Sequence, residues 1–573
     1  MSTLLAGMAA APGIAVGPLW RYRSRGAAGM PVVAIDSRAQ AEAAIRRAAE
    51  LAERQLAELA ARLRSSGHPG DAEILEAQAL MAVDPAIVDD AIRHSRDGMG
   101  PVDAVLAAAE ASARVLAGLD DALLAARAAD VRDVATRIVR AMSGAPTDLP
   151  TEPSIVVADD LPPSLLVDVP PGLLLGVALA GGSPTAHVAI LARSLGLPAV
   201  VAVAGLPDAA RHSVRIGVDG ETGEVILDPD AADLQTMADR QAARGARDRA
   251  AAALRGRRAT TADGRHVPLM ANIRSPQDAT RALEAGAEGV GLFRTEYLFL
   301  RRQAPPTEAE QTAEYRRAME AFGPDRPVVV RLADIGGDKP IPYLGLPEEP
   351  NPFLGVRAIR LARNSRELLL TQLRAVWRAA GEAGTTPRAM AAMVSTVADA
   401  RLLLELRDEA RADVVASGAA CPERMITGLM IEVPSAAMMA PELARMVDFF
   451  SIGTNDLTQY VLAADRGNAA LAGLQDALHP AVLRTIATIV AGAATAGIPV
   501  AACGELAGDP AGALVLVGLG VDELSVEPAA LDGVRAALAS VALPELKALA
   551  RRALAATDAE TVRSYVREIA RPE

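Results

Sequence analysis

The sequence predicts an α/β multidomain protein: a β/α domain with a helical insertion, then a linker helix and a C-terminal (β/α)8 TIM barrel. Three observations predict this fold class. The chain has 573 residues, too many for one ordinary core. A block of alanine and leucine at three- and four-residue spacing separates two regions of short β-branched runs. From about residue 260 onward, eight apolar runs are each followed by helical sequence, as in a barrel of eight β/α units.

The first domain is predicted from strands on both sides of the helical block. The stretch "GIAVGPLWRYR" near the start is typical of a strand bounded by glycines. After residue 150 similar strands recur in "SIVVADD", "GLLLGVALAGG", "PAVVAVAG" and "SVRIGVDGETGEVILDPD". We therefore expect residues 1–32 and 147–230 to form one β/α domain.

The insertion, residues 33–146, is predicted to contain four helices. "RAQAEAAIRRAAELAERQLAELAARLR" has helical periodicity, and Gly67, Pro69 and Gly70 end it. "DAEILEAQALMAVDPAIVDDAIRHS" predicts a second helix, and two more are expected over 101–117 and 120–142. Consecutive helices joined by short turns indicate a bundle.

The C-terminal half is predicted to be a linker helix over 231–258 and a barrel over 259–573. The eight expected strands lie in "PLMANI", "GVGLFR", "PVVVRLAD", "AMAAMV", "TGLMIEV", "DFFSIG", "PVAACG" and "VDELSV". In such barrels the chemistry gathers at the carboxyl ends of the strands. The polar residues at or after those ends include Asn272, Arg294, Arg331, Glu432, Asn455, Asp456 and Cys503.

Four arginines of the barrel are candidates for anion binding. Arg294 and Arg331 end strands two and three, and Arg357 and Arg466 lie in the segments that follow strands. Planar guanidinium groups directed at one point suit a phosphate or a carboxylate. A single arginine at a strand end more often solvates the surface or pairs with an acid, but two at matching strand ends favour a bound anion.

Two carboxylates and a thiol complete the candidate barrel site. Glu432 and Asp456 each follow a buried strand, and Mg²⁺ typically takes one or two protein carboxylates together with substrate oxygens. Cys503 ends strand seven, and a thiol that is mostly protonated at neutral pH can give a proton to an enolate. The alternatives are hydrogen-bonded loop acids and a cysteine that merely packs as a small apolar residue.

His187, in "GGSPTAHVAIL", follows a turn-rich segment and begins a predicted helix, with Thr185 as the expected cap. A phosphate at a helix N-terminus meets free backbone N–H groups and the positive end of the helix dipole. An imidazole there is suited to carry a phosphoryl group covalently. The alternative is a histidine that only caps the helix.

Composition excludes several function classes. The net charge of −13, without a basic stripe, argues against nucleic-acid binding. No apolar run is long enough for a membrane span. Two cysteines rule out a disulfide framework and suit a reducing compartment, so we expect a cytoplasmic protein.

Several longer motifs extend these local patterns: "AAPGIAVGPLW", "AADVRDVATRIV", "GAEGVGLFRTEYLF", "DIGGDKP", "EPNPFLGVRAIR", "DFFSIGTNDLTQYVLAADR" and "CGELAGDP". Together they resemble the Enzyme I family of bacterial phosphotransferase systems, the phosphoenolpyruvate (PEP)–protein phosphotransferases, over essentially the whole chain. The resemblance implies a swivelling phosphohistidine domain, an insertion that binds the phosphocarrier protein HPr, and a barrel that forms a homodimer. It also implies roles for individual residues: phosphorylation for His187, PEP binding for Arg294, Arg331, Arg466 and Asn455, Mg²⁺ binding for Glu432 and Asp456, and proton donation for Cys503.

The chain departs from this family at a few positions. Ser183 replaces a usual glycine, Val188 a usual small residue and Leu332 a common threonine, and Gln78 stands where histidine is frequent. Strand four also lacks the proline that the family tends to carry. None of these changes removes a catalytic group, but they leave the rate and the acceptor preference open.

Two other interpretations follow from the same motifs. A dikinase-type relative shares the histidine domain and barrel, but it needs a nucleotide-binding domain for which no segment is present in the sequence. A catalytically silent partner that only binds HPr-like proteins would have no chemical need for the complete set of candidate residues. Whether the acceptor serves sugar transport or nitrogen-type signalling stays open, with transport favoured.

Overall fold

The computed structural model describes residues 2–22, 38–65, 69–117, 122–144, 149–183, 186–300, 302–337, 341–347, 349–466 and 468–569. The chain divides into two compact units, Met1–Ala246 and Arg247–Glu573. The boundary falls within the predicted linker, which forms a helix over Ala231–Ala252. Among the described residues, no helix is both long enough and apolar enough to cross a membrane.

The first unit is built on an eight-stranded sheet with the order β1-β8-β7-β3-β4-β5-β6-β2. Its strands are β1 (Thr3–Ala6), β2 (Met8–Ala11), β3 (Ile14–Arg21), β4 (Ser154–Ala158), β5 (Leu174–Leu179), β6 (Ala199–Val201), β7 (Arg215–Asp219) and β8 (Glu224–Leu227). The central strands β3 and β4 pair in parallel, with Trp20 opposite Val156. Strands from before and after the insertion therefore share one sheet.

In its described parts, the insertion contains five helices rather than the expected four. They are α1 (Arg38–Ser65), α2 (Pro69–Ala82), α3 (Pro85–Arg96), α4 (Pro101–Ala117) and α5 (Ala122–Ser143). The second predicted helix is interrupted at Asp84, whose side chain caps α3 by accepting from the backbone N–H of Ala86 at 2.8 Å. Pro85 disfavours the helical conformation at the residue before it and is well placed at the first position of a helix. The chain therefore starts a new helix there.

Buried polar contacts attach the insertion to the rest of the unit. The remaining helices of the unit are α6 (Pro163–Asp168), α7 (His187–Ser194), α8 (Leu206–Ala209) and α9 (Ala231–Ala252), with a 3₁₀ turn at Ala210–His212. The hydroxyl of Ser164 on α6 donates to Asp133 on α5 at 3.1 Å. Arg137, one turn further along α5, donates to Ser164 at 3.0 Å and to Asp168. Burial raises the pKa of Asp133 to about 6.

The second unit confirms the predicted barrel. Eight parallel strands close in sequence order, with β16 pairing back to β9. They are β9 (Leu269–Ile273), β10 (Val290–Arg294), β11 (Val328–Arg331), β12 (Arg388–Ala391), β13 (Ile426–Ile431), β14 (Phe449–Gly453), β15 (Val500–Cys503) and β16 (Glu523–Val526). Each overlaps one of the eight apolar runs of the sequence.

Helices surround the barrel. They are α10 (Gln277–Glu284), α11 (Glu308–Phe322), α12 (Arg366–Ala383), α13 (Val397–Ala416), α14 (Pro434–Met438), α15 (Ala440–Ala444), α16 (Thr454–Leu462), α17 (Pro480–Ala494), α18 (Glu505–Gly508), α19 (Pro510–Leu519), α20 (Leu531–Ala539), α21 (Leu543–Ala555) and α22 (Ala559–Ile569). Short 3₁₀ segments lie at Thr295–Leu298, Pro342–Leu344, Pro352–Leu354, Ala358–Arg363, Ala469–Leu474 and Pro528–Ala530.

Successive side chains along a barrel strand point to opposite faces, so they pack in two different apolar cores. Phe450, Ile452 and Ala502 belong to the large core between strands and helices, whereas Phe449 and Cys503 belong to a smaller cluster inside the barrel. The register aligns the strand ends, because Arg294 lies opposite Arg331 and Gly453 lies opposite Cys503. Side chains at these ends therefore surround one mouth.

Candidate active site

A cavity of about 270 Å³ opens at the carboxyl ends of the barrel strands. Seven residues predicted from the sequence line it: Arg294, Arg331, Glu432, Asn455, Asp456, Arg466 and Cys503. Glu296 and Asp334, which were not predicted from the sequence, line it as well. Asn272 is not part of the lining; it is buried and accepts a hydrogen bond from Ser525 at 2.7 Å.

Arg331 lies at the centre of the charged lining. Its guanidinium is 2.9 Å from Glu296 Oε1 and 3.6 Å from Asp334 Oδ2. Burial disfavours its charge, but these carboxylates outweigh that effect and raise the pKa of Arg331 above its ordinary value. Its buried Nε has no hydrogen-bond partner among the described residues. A donor left over in a charge-balanced pocket is suited to an anionic ligand.

Arg357 contacts two acidic residues that line the cavity. It is fully buried and donates to both oxygens of Asp334, at 2.9 Å and 2.6 Å. Its Nη1 is 3.4 Å from Asp456 Oδ1. Arg357 is not among the lining residues, so the structure gives it a place between two acids of the site, and direct contact with a ligand stays a prediction.

Glu432 and Asp456 bring two buried carboxylates to the same mouth. Glu432 Oε1 accepts from the backbone N–H of Met393 at 2.8 Å. Its Oε2 lies over Gly453, where an added Cβ would clash with it. Burial, together with the charges of Asp456 and Asp334, raises the pKa of Glu432 to about 8. The crowding of negative charge is what a bound cation would relieve.

This donor set fits Mg²⁺. In the described part of the chain, no three Asp, Glu, His or Cys side chains converge closely enough to hold a metal on their own. Mg²⁺ does not require such a cage, because it keeps waters and takes substrate oxygens beside one or two carboxylates. Glu432 and Asp456 are thus a fitting pair for a metal that binds together with an anionic substrate.

The thiol of Cys503 faces the cavity from the end of β15. Burial raises the pKa of this thiol above its ordinary value, although Ser451, Arg331 and Arg294 act in the opposite direction. The group is therefore protonated at neutral pH, as a proton donor must be.

Asn455 and Arg466 lie at the rim. Asn455 Oδ1 accepts from the backbone N–H of Glu505 at 3.0 Å, and this contact requires glycine at position 504. Gly504 has φ +112°, and an added Cβ would clash with Thr454 Oγ1 and come within 2.9 Å of Asn455 Oδ1. Arg466 lies 3.7 Å from Asp456 Oδ2 and above the ring of Phe353.

A buried amide supports the strand end that carries Arg331. Gln372, on α12, donates to Thr295 and to Tyr315, both at 2.9 Å, and accepts from the backbone N–H of Ala333 at 2.9 Å. All four residues of this network, Gln372, Thr295, Tyr315 and Ala333, are fully buried. A satisfied buried network of this kind restricts the backbone between Arg331 and Asp334.

His187 begins α7 in the first unit, where the structure places a second candidate site. Its Nδ1 is 3.4 Å from Asp130 Oδ1, a carboxylate of the insertion helix α5. Asp130 also accepts from Gln78 at 3.0 Å and from Arg127 at 3.1 Å. Burial alone would raise the pKa of Asp130, but the contacts with His187, Gln78 and Arg127 outweigh it and lower the pKa below its ordinary value.

The ionised Asp130 determines which nitrogen of His187 can react. A carboxylate only accepts hydrogen bonds, so Nδ1 of a neutral imidazole carries the hydrogen and Nε2 keeps its lone pair. This role of Asp130 is not predicted by the sequence patterns above, although the residue lies within "AADVRDVATRIV".

Two sequence expectations fall wholly or partly outside the described residues. Thr185, the expected helix cap, is one of them; within the described part, the residue preceding the helix is Ala186, whose side chain makes no capping bond. The last three residues of "DIGGDKP" are the other.

Three family models match three successive regions of the chain. The model for the PEP-binding domain of PEP-utilising enzymes matches residues 248–543, about half of the chain. The model for the mobile domain of these enzymes matches residues 150–223, and the model for their N-terminal region matches residues 6–127.

Relatives of known name are similar along most of the chain. The phosphoenolpyruvate-protein phosphotransferase of Streptomyces coelicolor is 40% identical over 573 residues, with 99% of each chain covered. Multiphosphoryl transfer proteins of Rhodobacter capsulatus and Xanthomonas campestris are 44% and 42% identical over 87% and 98% of this chain. The chain spans only 60% and 66% of the length of those two proteins.

Proposed function

The chain belongs to the family of PEP-utilising enzymes, and we propose that it transfers the phosphoryl group of PEP to its own His187 and then to a histidine of HPr, releasing pyruvate. The observation that carries the proposal is the cavity at the barrel mouth, in which arginines, two carboxylates and a thiol meet. Each of these groups has a task in the chemistry of a phosphorylated enol.

The arginines provide the binding site for PEP, which carries a phosphate and a carboxylate. Arg331, Arg294 and Arg466 bind these two groups, and Asn455 contacts the phosphate. Arg331 is held by Glu296 and Asp334, so its orientation exists before the substrate arrives, and little reorganisation is needed. Glu432 and Asp456 would hold Mg²⁺ together with the substrate, and as a Lewis acid the metal would neutralise part of the phosphate charge.

His187 supplies the nucleophile. Nε2 attacks phosphorus in line, the bond between phosphorus and the enol oxygen breaks, and the electron pair leaves with the enolate. Asp130 holds the hydrogen on Nδ1 and stabilises the positive charge that develops on the ring. The enolate carbon then takes the proton of Cys503, which gives the methyl group of pyruvate.

Transfer to HPr completes the cycle. The helical insertion, residues 33–146, is the proposed docking site for HPr, and the barrel is the proposed homodimer contact. We infer that the histidine domain swivels about the linker over 231–258 between PEP and HPr. A crosslink that fixes this linker should abolish phosphorylation of HPr, and full activity of the crosslinked chain would contradict the swivel.

The test of the proposed function uses the full chain, ³²P-labelled PEP, Mg²⁺ and purified HPr. We expect acid-labile label on His187, then label on HPr, with one pyruvate released for each phosphoryl group. The H187Q variant should label neither protein, whereas H212Q, at an exposed histidine of the same unit, should behave as the unmodified chain. Labelling of HPr by H187Q would overturn the proposal.

Comparison of two acceptors tests the downstream role that we propose, the first step of sugar uptake. HPr of the carbohydrate type and of the nitrogen type are offered to the phosphorylated chain in separate reactions. Faster transfer to the carbohydrate type is the expected result, and a preference for the nitrogen type would reassign the pathway without affecting the chemistry.

A further inference from the structure

We propose that Ser451 is a positioning residue for proton donation: its hydroxyl donates a hydrogen bond to Cys503 Sγ and stabilises the thiolate that remains when Cys503 gives up its proton. The inference rests on the proposed function, because it takes Cys503 as the donor. Ser451 is not among the residues that line the cavity in the barrel mouth.

The register of neighbouring strands brings the two side chains together. Ser451 lies on β14 opposite Ala501, and Gly453 lies opposite Cys503 on β15. Both side chains are almost fully buried, and Ser451 Oγ is 3.3 Å from Cys503 Sγ. This distance is normal for a hydroxyl donating to sulfur, which is larger than oxygen.

Two hydrogen bonds at Cys503 Sγ have different roles, because one uses the thiol hydrogen and the other uses the hydroxyl hydrogen of Ser451. The thiol hydrogen has its own acceptor, the carbonyl of Ile452 at 3.6 Å from Sγ. Once that hydrogen has left, the carbonyl has nothing to offer the sulfur, because it can only accept. Among the described residues, the neutral side chain that still donates a hydrogen bond to the sulfur is then that of Ser451.

The charged groups around Sγ come from other strands. Arg331 on β11 and Arg294 on β10 favour the thiolate, whereas Glu432 after β13 and burial disfavour it. A thiolate in such a place needs direct donors, because burial removes the stabilisation that water would give. Hydrogen bonds to charged acceptors are roughly twice as strong as those between neutral groups.

The proton transfer balances without a further reactant. The S–H bond of Cys503 breaks, a C–H bond forms at the methylene carbon of the enolate, and sulfur keeps the electron pair of the broken bond. A proton from water restores the thiol before the next turnover. Ser451 keeps its own hydrogen throughout, so the step needs neither an oxidant nor a reductant.

The first experiment measures the thiol directly. In the full chain with C421S, Cys503 is the remaining cysteine, and its alkylation by iodoacetamide is followed against pH. We expect S451A to move the midpoint of alkylation to higher pH by about one unit, the shift that corresponds to a tenfold change in thiolate stability. S451T, which retains the hydroxyl, should restore most of the original midpoint.

Ser525 offers a matched control on the strand at the other side of Cys503. It is fully buried, lies opposite Cys503 in the register, and donates to Asn272 instead of sulfur. S525A should leave the alkylation midpoint unchanged. An unchanged midpoint in S451A, or an equal shift in S525A, would overturn the inference.

The second experiment follows the reverse reaction, in which the thiolate must remove a proton from pyruvate. The chain is phosphorylated with PEP, separated from it, and given pyruvate and Mg²⁺; formation of PEP is measured against pH. We expect S451A to be about tenfold slower at neutral pH, with the difference shrinking at high pH. Equal pH profiles for S451A and the unmodified chain would contradict the inference.

C503A distinguishes the failure of this inference from failure of the proposed function. If C503A releases pyruvate at the rate of the unmodified chain, Cys503 is not the donor and the proposed chemistry fails at that step. If C503A is slow while S451A leaves both measurements unchanged, only the role of Ser451 is wrong.

Discussion

The barrel cavity and the His187 site are built in opposite ways. In the cavity, Arg331 contacts two carboxylates, and one of them, Asp334, is also held at both oxygens by Arg357. His187, in contrast, contacts one charged group in the described part of the chain, Asp130 at 3.4 Å, and about a fifth of its side chain is exposed. The proposed binding site for the substrate is thus fixed by several contacts, whereas the proposed carrier is held by few.

This difference follows from what each region has to do. A substrate with two anionic groups needs charges that are in place before it binds, because reorganising them during the reaction would cost rate. A carrier must leave each partner after the phosphoryl group has moved, so many strong contacts would slow it. We therefore expect the loss of a charged group in the cavity to have a larger effect than a change around the imidazole.

The largest effect is expected for R331A. The substitution removes the main anion ligand and leaves Glu296 and Asp334 facing the substrate, so kcat/KM for PEP should fall by about 10³-fold. Pyruvate release measures this value. R424A removes an exposed arginine before β13 and should leave kcat/KM unchanged; an R331A chain of normal activity would contradict the assignment of the cavity.

The next effect is expected for D130N, which tests the imidazole side. Asparagine can donate to Nδ1 and thereby stabilise the wrong tautomer of His187, so phosphorylation of His187 should slow by about 10²-fold. KM for PEP should not change, because Asp130 is not among the residues that line the cavity. D103N, at an exposed acid of α4, is the control. A raised KM with normal kcat in D130N would show that Asp130 acts on PEP binding instead.

A smaller effect is expected for G504A, which displaces Asn455 without removing a charge. The added Cβ would meet Thr454 and Asn455, so KM for PEP should rise by about tenfold, the loss expected for one hydrogen bond to a charged group. Gly497 also has a positive φ, but a Cβ added there would meet no atom within 4 Å, so G497A controls for backbone strain alone. Equal KM values in the two variants would indicate that Asn455 does not contact the substrate.

The smallest effect on turnover is expected for D133N, which instead changes stability. The pKa of Asp133 is about 6 in the folded chain and near its ordinary 3.8 when unfolded, so the folded state retains a proton that the unfolded state has lost. The stabilisation is present below pH 4 and is lost as pH rises through 6, by about 3 kcal/mol. Urea unfolding of the first unit at pH 4.5 and pH 7 should show a smaller pH dependence in D133N. The same pH dependence in both chains would contradict the assignment.

More of the fold than of the contacts within the site could be predicted from the sequence. All eight barrel strands carry a local apolar pattern, and strand order then determines which residues meet at the mouth, as for Arg294 and Arg331. The break at Asp84 also had a local signal, an acid followed by proline. The contact of Asp130 with His187 had none, because the two residues are 57 positions apart and lie on two different helices.

The same reason explains why the supporting residues were missed. Gln372 acts on Ala333 from a helix 39 positions away, and Asp334 is recognisable as a site residue only when Arg331 and Arg357 are seen on either side of it. Such roles depend on packing between segments, which hydrophobic periodicity does not describe.

Binding of PEP to the full chain carrying H187Q tests the central claim, that the cavity holds the substrate independently of the carrier. Calorimetric titration in the presence of Mg²⁺ should give saturable binding of one PEP per chain. Adding R331A to H187Q should weaken that binding by about 10- to 100-fold. Loss of PEP binding in H187Q alone, or equal binding in the doubly substituted chain, would contradict the account.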